Sequence, residues 1–210
     1  MLEEAVSVAS AAHVDMKTLS RLSTNVAGGI LHTIREYDCG EVLVCLTDRT
    51  TGMPKSSLGP VIDHVIGGTN RQVMAVRLIV PPGTLRRLIV AVPQKAEYEA
   101  GFYKWLEHMC RMGEQFDCLL EFNAHPDTLS HIKSYMWRYH VSLRAEYIEM
   151  ALWTKVLSLS QRAGADDLVV FISARPGFIS YKSAFAGLPL QIHRYFSHTS
   201  VILLYPDQWS

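Results

Sequence analysis

The residues best suited to hold a ligand lie in a loop, 173–183, that follows the apolar run Leu168 to Ile172. Ser173 opens this loop, and Arg175, Gly177 and Ser180 follow before a helical stretch begins. A guanidinium, hydroxyls, a glycine and a helix start could together receive a small anion, and such loops beyond the carboxyl ends of strands bind ligands in open α/β sheets. A plainer role competes with that one, in which Gly177 only supplies a turn and Arg175 pairs with a carboxylate elsewhere. A related loop at 47–59 is richer in hydroxyls and carries Lys55, yet it repeats the pattern less fully.

Other chemistry is poorly supported. Nine histidines invite a metal site, but His125/His131 and His193/His198 lack the one-turn spacing of helical zinc ligands, and no cysteine pair completes them. Ser130 and Lys133 fit S-x-x-K without its companion motifs, and Gly177 to Tyr181 lacks the second glycine of a nucleophile elbow. Asp48, Arg49, Glu97 and Glu99 could serve as acid or base groups, but nothing in the sequence brings them together. No catalytic constellation emerges, so the expectation is a protein that is not an enzyme, with no metal and no bound cofactor.

The chain has 210 residues, 49% of them hydrophobic, with 20 basic and 20 acidic side chains. That balance gives no electrostatic reason to expect nucleic acid or an anionic membrane surface as a partner. Cys39, Cys45, Cys110 and Cys118 form no C-x-x-C pair, and Cys45 and Cys118 sit in apolar runs, which predicts buried thiols rather than disulfides. No basic leader and no apolar run of about 20 residues occurs. A soluble chain is expected.

The elements that must carry the loop come from an internal repeat. Residues 177–206 lie on residues 52–81 without a gap, at an offset of 125, sharing Gly52/Gly177, Val76/Val201, Leu78/Leu203 and Pro81/Pro206. The runs 42–49 and 168–175 match with one extra residue in the earlier loop. From residue 85 onward the pattern is βαβαβαβαβ: strands at 87–92, 118–122, 141–147, 168–172 and 201–205, and helices at 96–113, 127–138, 153–162 and 185–195. Asp127 is expected to cap the second helix. Short connections and buried strands call for a mostly parallel sheet covered on both faces. Subtracting 125 recovers a helix at 2–12, a strand at 14–19, and a helix at 25–37 burying Val26, Ile30, Ile34 and Tyr37. The first strand, first helix and second strand have no counterpart. The expected organisation is an α/β protein of two units, 1–84 and 85–210, the first truncated at its N-terminus, and a longer polypeptide as the source. The apolar rows Val76, Leu78, Val80 and Val201, Leu203, Tyr205 predict that 73–80 and 199–205 lie together about a pseudo-two-fold.

Five strands with a glycine loop after the fourth resemble the universal stress protein fold, of the adenine nucleotide alpha hydrolase-like kind. Nucleotide-binding members carry G-x2-G-x9-G-(S/T) after that strand. Here Gly177 and Gly187 stand at the family spacing, while Ala174 replaces the first glycine and Leu188 the closing hydroxyl. Val92-Pro93-Gln94 stands where an acidic residue usually faces the base or ribose. The resemblance implies ATP or AMP as the ligand to test, and these departures imply weak binding or none. What remains at the loop suits a small anion or a bound acidic side chain.

A further likeness lies in particular words. Val92-Pro93-Gln94-Lys95-Ala96-Glu97-Tyr98-Glu99-Ala100-Gly101-Phe102 resembles the cytoplasmic tails of bacterial monovalent cation/proton antiporters. So do Asp166 through Tyr181, His193-Arg194-Tyr195-Phe196 and Tyr205-Pro206-Asp207-Gln208. The resemblance implies a regulatory tail at the cytoplasmic face of the inner membrane, built from tandem stress-protein-like units. Its partners would be the membrane domain of the same polypeptide, a second copy in a homodimer, or a small-molecule ligand. The alternative it leaves is a free-standing tandem stress protein that binds ATP.

Overall fold

A computed structural model describes residues 2–46, 52–54 and 57–208. Its described helices are α1 (Leu2–Ala11), α2 (Val26–Glu36), α3 (Pro60–Gly68), α4 (Phe102–Gln115), α5 (Pro126–Arg138) and α6 (Leu188–Tyr195). The strands are β1 (Glu41–Cys45), β2 (Gln72–Arg77), β3 (Arg87–Ala91), β4 (Leu119–Ala124), β5 (Ala145–Glu149), β6 (Asp167–Ile172) and β7 (Ser200–Tyr205). They form one sheet in the order β1-β2-β7-β6-β3-β4-β5. Every neighbouring pair is parallel except β2 and β7, which run antiparallel with Ala75 opposite Leu203. The segments 73–80 and 199–205 therefore meet, through their strands, inside the sheet, second and third from the β1 edge.

Alternation along the buried strands sends successive side chains to opposite faces. Leu88, Val90, Leu120, Phe122, Val170 and Leu204 pack under α4 and α5. Phe102, Trp105, Leu106 and Met109 repeat at helical spacing on α4, and all four are fully buried. Ile89, Ala91, Val169, Phe171 and Leu203 face the opposite layer, made by α6 and the 3-10 stretch Trp153–Gln161. A smaller cluster of Ala27, Leu31, Ile34, Val42, Val65 and Val73 seats α2 and α3 on β1 and β2.

Several expectations need correction. Residues 14–19 form no strand. A strand needs a neighbour, and β1, at the outer edge of the sheet, pairs only with β2 among the described residues. α2 buries Ala27, Leu31 and Ile34, while Val26 and Tyr37 are exposed; the buried face turns toward α3, β1 and β2. Cys45 is exposed because β1 is an outer strand, whereas Cys110 and Cys118 are buried. The helix expected from residue 96 begins as the 3-10 turn Ala96–Tyr98, and extended backbone at Glu99 separates it from α4. The stretch expected as a helix at 153–162 is 3-10. At α5 the capping side chain is His125, which accepts from the Asp127 amide at 3.3 Å. Among the described residues no helix is long and apolar enough to cross a membrane.

Candidate functional site

The loop after β6 begins in the core. Ser173 is buried, and its amide donates to the Leu204 carbonyl at 2.8 Å, continuing the β6–β7 ladder. Its side chain bonds the hydroxyl of Tyr205, whose ionisation burial pushes up to about 12. Arg175 is also buried. Its guanidinium donates to three backbone carbonyls: Pro206 at 2.7 Å, Arg71 at 2.9 Å and Ile66 at 3.1 Å. It also sits over the Tyr205 ring at 5.8 Å. Burial lowers its pKa from the usual value by penalising the charge. The partners are carbonyls rather than a carboxylate, and two belong to α3 and the turn before β2. Arg175 thus ties β7 to the first half of the chain.

Gly177 has φ +93°, and a Cβ there would meet nothing within 4 Å. It supplies a left-handed turn position, without a neighbouring atom that demands a missing side chain. Gly187 precedes α6, where an added Cβ would touch only Gln191 at ordinary contact distance. The 3-10 turn Ser183–Gly187 intervenes between the loop and α6. Leu188, at the expected hydroxyl position, is fully buried in the core.

Ser180 carries the most informative contact. Its amide and its hydroxyl both donate to one oxygen of Glu99, at 2.8 and 2.7 Å. The donors that could receive an anion are occupied by the chain's own carboxylate. Glu97 has a separate role, accepting from the Thr128 hydroxyl at 2.7 Å. Glu97 and Glu99 therefore do not converge as an acid–base pair. The space between Glu99, Arg175, Phe178 and Asp207 is about 10 Å³, room for about one water. Close by, the Gly101 position packs on the backbone of Asp207, whose carboxylate pairs with Lys104 at 2.7 Å.

A larger cavity of about 270 Å³ opens at the carboxyl ends of the strands, lined by Gln94, Met150, Trp153, Thr154, Lys182 and Ser183 among others. It lies where β3 and β6 send their connections to opposite sides of the sheet, the position at which such folds bind ligands. Neither Lys182 nor the wall at 150–154 was signalled by a motif. The 3-10 stretch that continues from this wall is held at its far end by an ionic network on β4. Arg162 reaches Glu121 and Asn123 at 2.7 Å each, and Arg87 bridges Glu121 and Asp167. Among the described residues no three or more His, Cys, Asp or Glu side chains gather to hold a metal. In the earlier loop, 47–51, 55 and 56 lie outside the described residues, including Asp48, Arg49 and Lys55. Its described Ser57 hydroxyl and Leu58 amide both donate to Asp63, at 2.6 and 3.0 Å.

No protein-family profile matches the chain. Among curated proteins it is similar to a Na+/H+ antiporter of Synechocystis, 22% identical over 148 residues. That match covers 69% of this chain and 21% of the antiporter. The chain thus spans about a fifth of that relative's length. Among solved structures it resembles a functionally unknown protein of Pseudomonas aeruginosa PAO1, with TM-score 0.65 at 14% identity, covering 98% of this chain and 77% of that one. A putative universal stress protein of Pseudomonas aeruginosa UCBPP-PA14 gives 0.63 at 14% identity, with the same coverage. A universal stress protein of Archaeoglobus fulgidus gives 0.62 at 12%, covering 99% and 75%. The fold is α/β with a mostly parallel sheet, like that of universal stress proteins.

Proposed function

We propose that this chain is a non-catalytic regulatory module of a cation/proton antiporter, acting at the cytoplasmic face of the membrane. It consists of two stress-protein-like units, 1–84 and 85–210, and its first partner is the membrane domain of the same longer polypeptide. The observation that carries this reading is the coincidence of the 148-residue antiporter likeness with a loop whose donors are taken by Glu99. A stress-protein fold that fills its own anion site is suited to interaction or gated sensing rather than to standing nucleotide binding. The parent gene tests it: about a dozen apolar spans of ~20 residues should be encoded upstream, and their absence refutes the antiporter assignment.

A second reading is favoured by a specific feature. The open cavity beside Lys182 and Gln94 suits a free-standing tandem stress protein that binds ATP or AMP. Calorimetric titration separates the two. Micromolar affinity for either nucleotide supports the second reading, and no heat supports the first.

A further inference from the structure

β1 is the outer strand of the sheet beyond β2. The Leu46 amide donates to the Val76 carbonyl at 2.7 Å. In a parallel pair alternate residues bond to alternate sides, so the backbone groups of Glu41, Leu43 and Cys45 point outward. Leu43 is 64% exposed, although its neighbour across β2 is Met74. Next to this edge runs a groove of about 470 Å³, lined by Val42 and Leu43, by Val26 and Ile30 of α2, and by Leu19 and Arg21.

The second half of the chain shows what such an interval holds. There β6, the repeat counterpart of β1, is followed across the sheet by β3, β4 and β5 in turn. Residues 20–24 stand 125 positions before β5. The groove therefore lies between the counterparts of β6 and β5, an interval that β3 and β4 fill in the second half. In that half α4 packs on the face that corresponds to Leu43.

We propose that the groove receives a strand–helix–strand segment of the same longer polypeptide. Its first strand would add parallel to β1, and its helix would cover Leu43 and Met74. The inference rests on the longer-polypeptide reading above. The template is 87–124, which runs from β3 through α4 to β4. Either occupant has to move residues 19–23, which line the groove, but a second copy related by a two-fold would offer β1 antiparallel, whereas the second half adds β3 parallel to β6.

The test compares this chain with a version extended by the roughly 40 residues encoded before Met1, the length from β3 through β4. Hydrogen exchange should be fast at the Leu43 and Cys45 amides in the shorter chain and about 100-fold slower in the extended one. Leu43→Lys should leave the melting temperature of the shorter chain unchanged and lower that of the extended chain. A folded extended chain with unchanged exchange at 43 and 45 overturns the proposal while leaving the longer polypeptide intact. A reading frame that closes just before Met1 overturns the longer polypeptide itself, and the proposal with it. Concentration-dependent protection in the shorter chain would make a second copy the occupant and also refute it.

Discussion

Removing the Glu99 carboxylate should turn the loop after β6 from a filled site into a receptive one. Glu99 accepts from the Ser180 amide at 2.8 Å and from the Ser180 hydroxyl at 2.7 Å. Hydrogen bonds to a charged group contribute roughly 1.5–3 kcal/mol each when well shielded. Glu99 is half-buried, so water screens the pair and about 2 kcal/mol for both is the better figure. An external anion must displace this carboxylate, which is tethered beside its donors. Glu99→Ala should therefore strengthen phosphate or AMP binding by about 30-fold over the wild-type limit. Calorimetric titration of both proteins with each anion measures it. Adding Ser180→Ala to Glu99→Ala should remove part of the gain, about fivefold for one hydroxyl worth ~1 kcal/mol. If Glu99→Ala binds neither anion better than wild type does, the loop is no anion site and the plug reading is wrong.

Other outcomes follow from the same contacts. Arg175→Met strands three carbonyls but also relieves a buried charge, and the balance should destabilise by about 2–4 kcal/mol in urea unfolding; a change under ~0.5 kcal/mol would show that the clamp contributes little. Gly101→Ala places a Cβ 2.5 Å from the Asp207 carbonyl oxygen and 2.6 Å from its nitrogen, so about 1–3 kcal/mol of stability should be lost, and an unchanged midpoint would contradict the close packing. Burial pushes the Cys110 thiol up to about 12 from 9.0, so at pH 8 a thiol reagent should modify exposed Cys45 and leave Cys110 untouched until unfolding. Because the folded value lies above the unfolded one, the unfolded chain binds fewer protons above pH 9. Cys110's contribution is thus whole below about pH 9 and declines as pH rises toward 12, by up to ~1.4 kcal/mol per unit. Rapid Cys110 labelling in the native state would argue against its burial.

The strands at 87–91 and 167–172 were legible because both of their faces are buried, which writes them as uninterrupted apolar runs. β2 and β7 were legible as partners because Val76 and Val201 stand in matched period-2 rows. Residues 14–19 carry an apolar scatter of similar quality, yet pairing is a property of neighbours, and no local pattern records a missing neighbour. The site was harder to read for a related reason. Arg175 has the type and position of an anion ligand, but its use is set by carbonyls at 66, 71 and 206, which every residue possesses and no motif marks. Ser180 is engaged by a residue 81 positions away, within the same word around Glu99 that carries the antiporter likeness. Spacing could establish that the loop had donors to spare for an acidic side chain. Only the approach of the turn before α4 to that loop, fixed by Gly101 packing on the Asp207 backbone, could identify the side chain as Glu99. A loop plugged in this way depends on two segments that must stay close for the Glu99 contacts to hold. Glu99 stands two residues before Gly101, so Gly101→Ala, which pushes on the Asp207 backbone, is expected to disturb the Ser180–Glu99 hydrogen bonds as well.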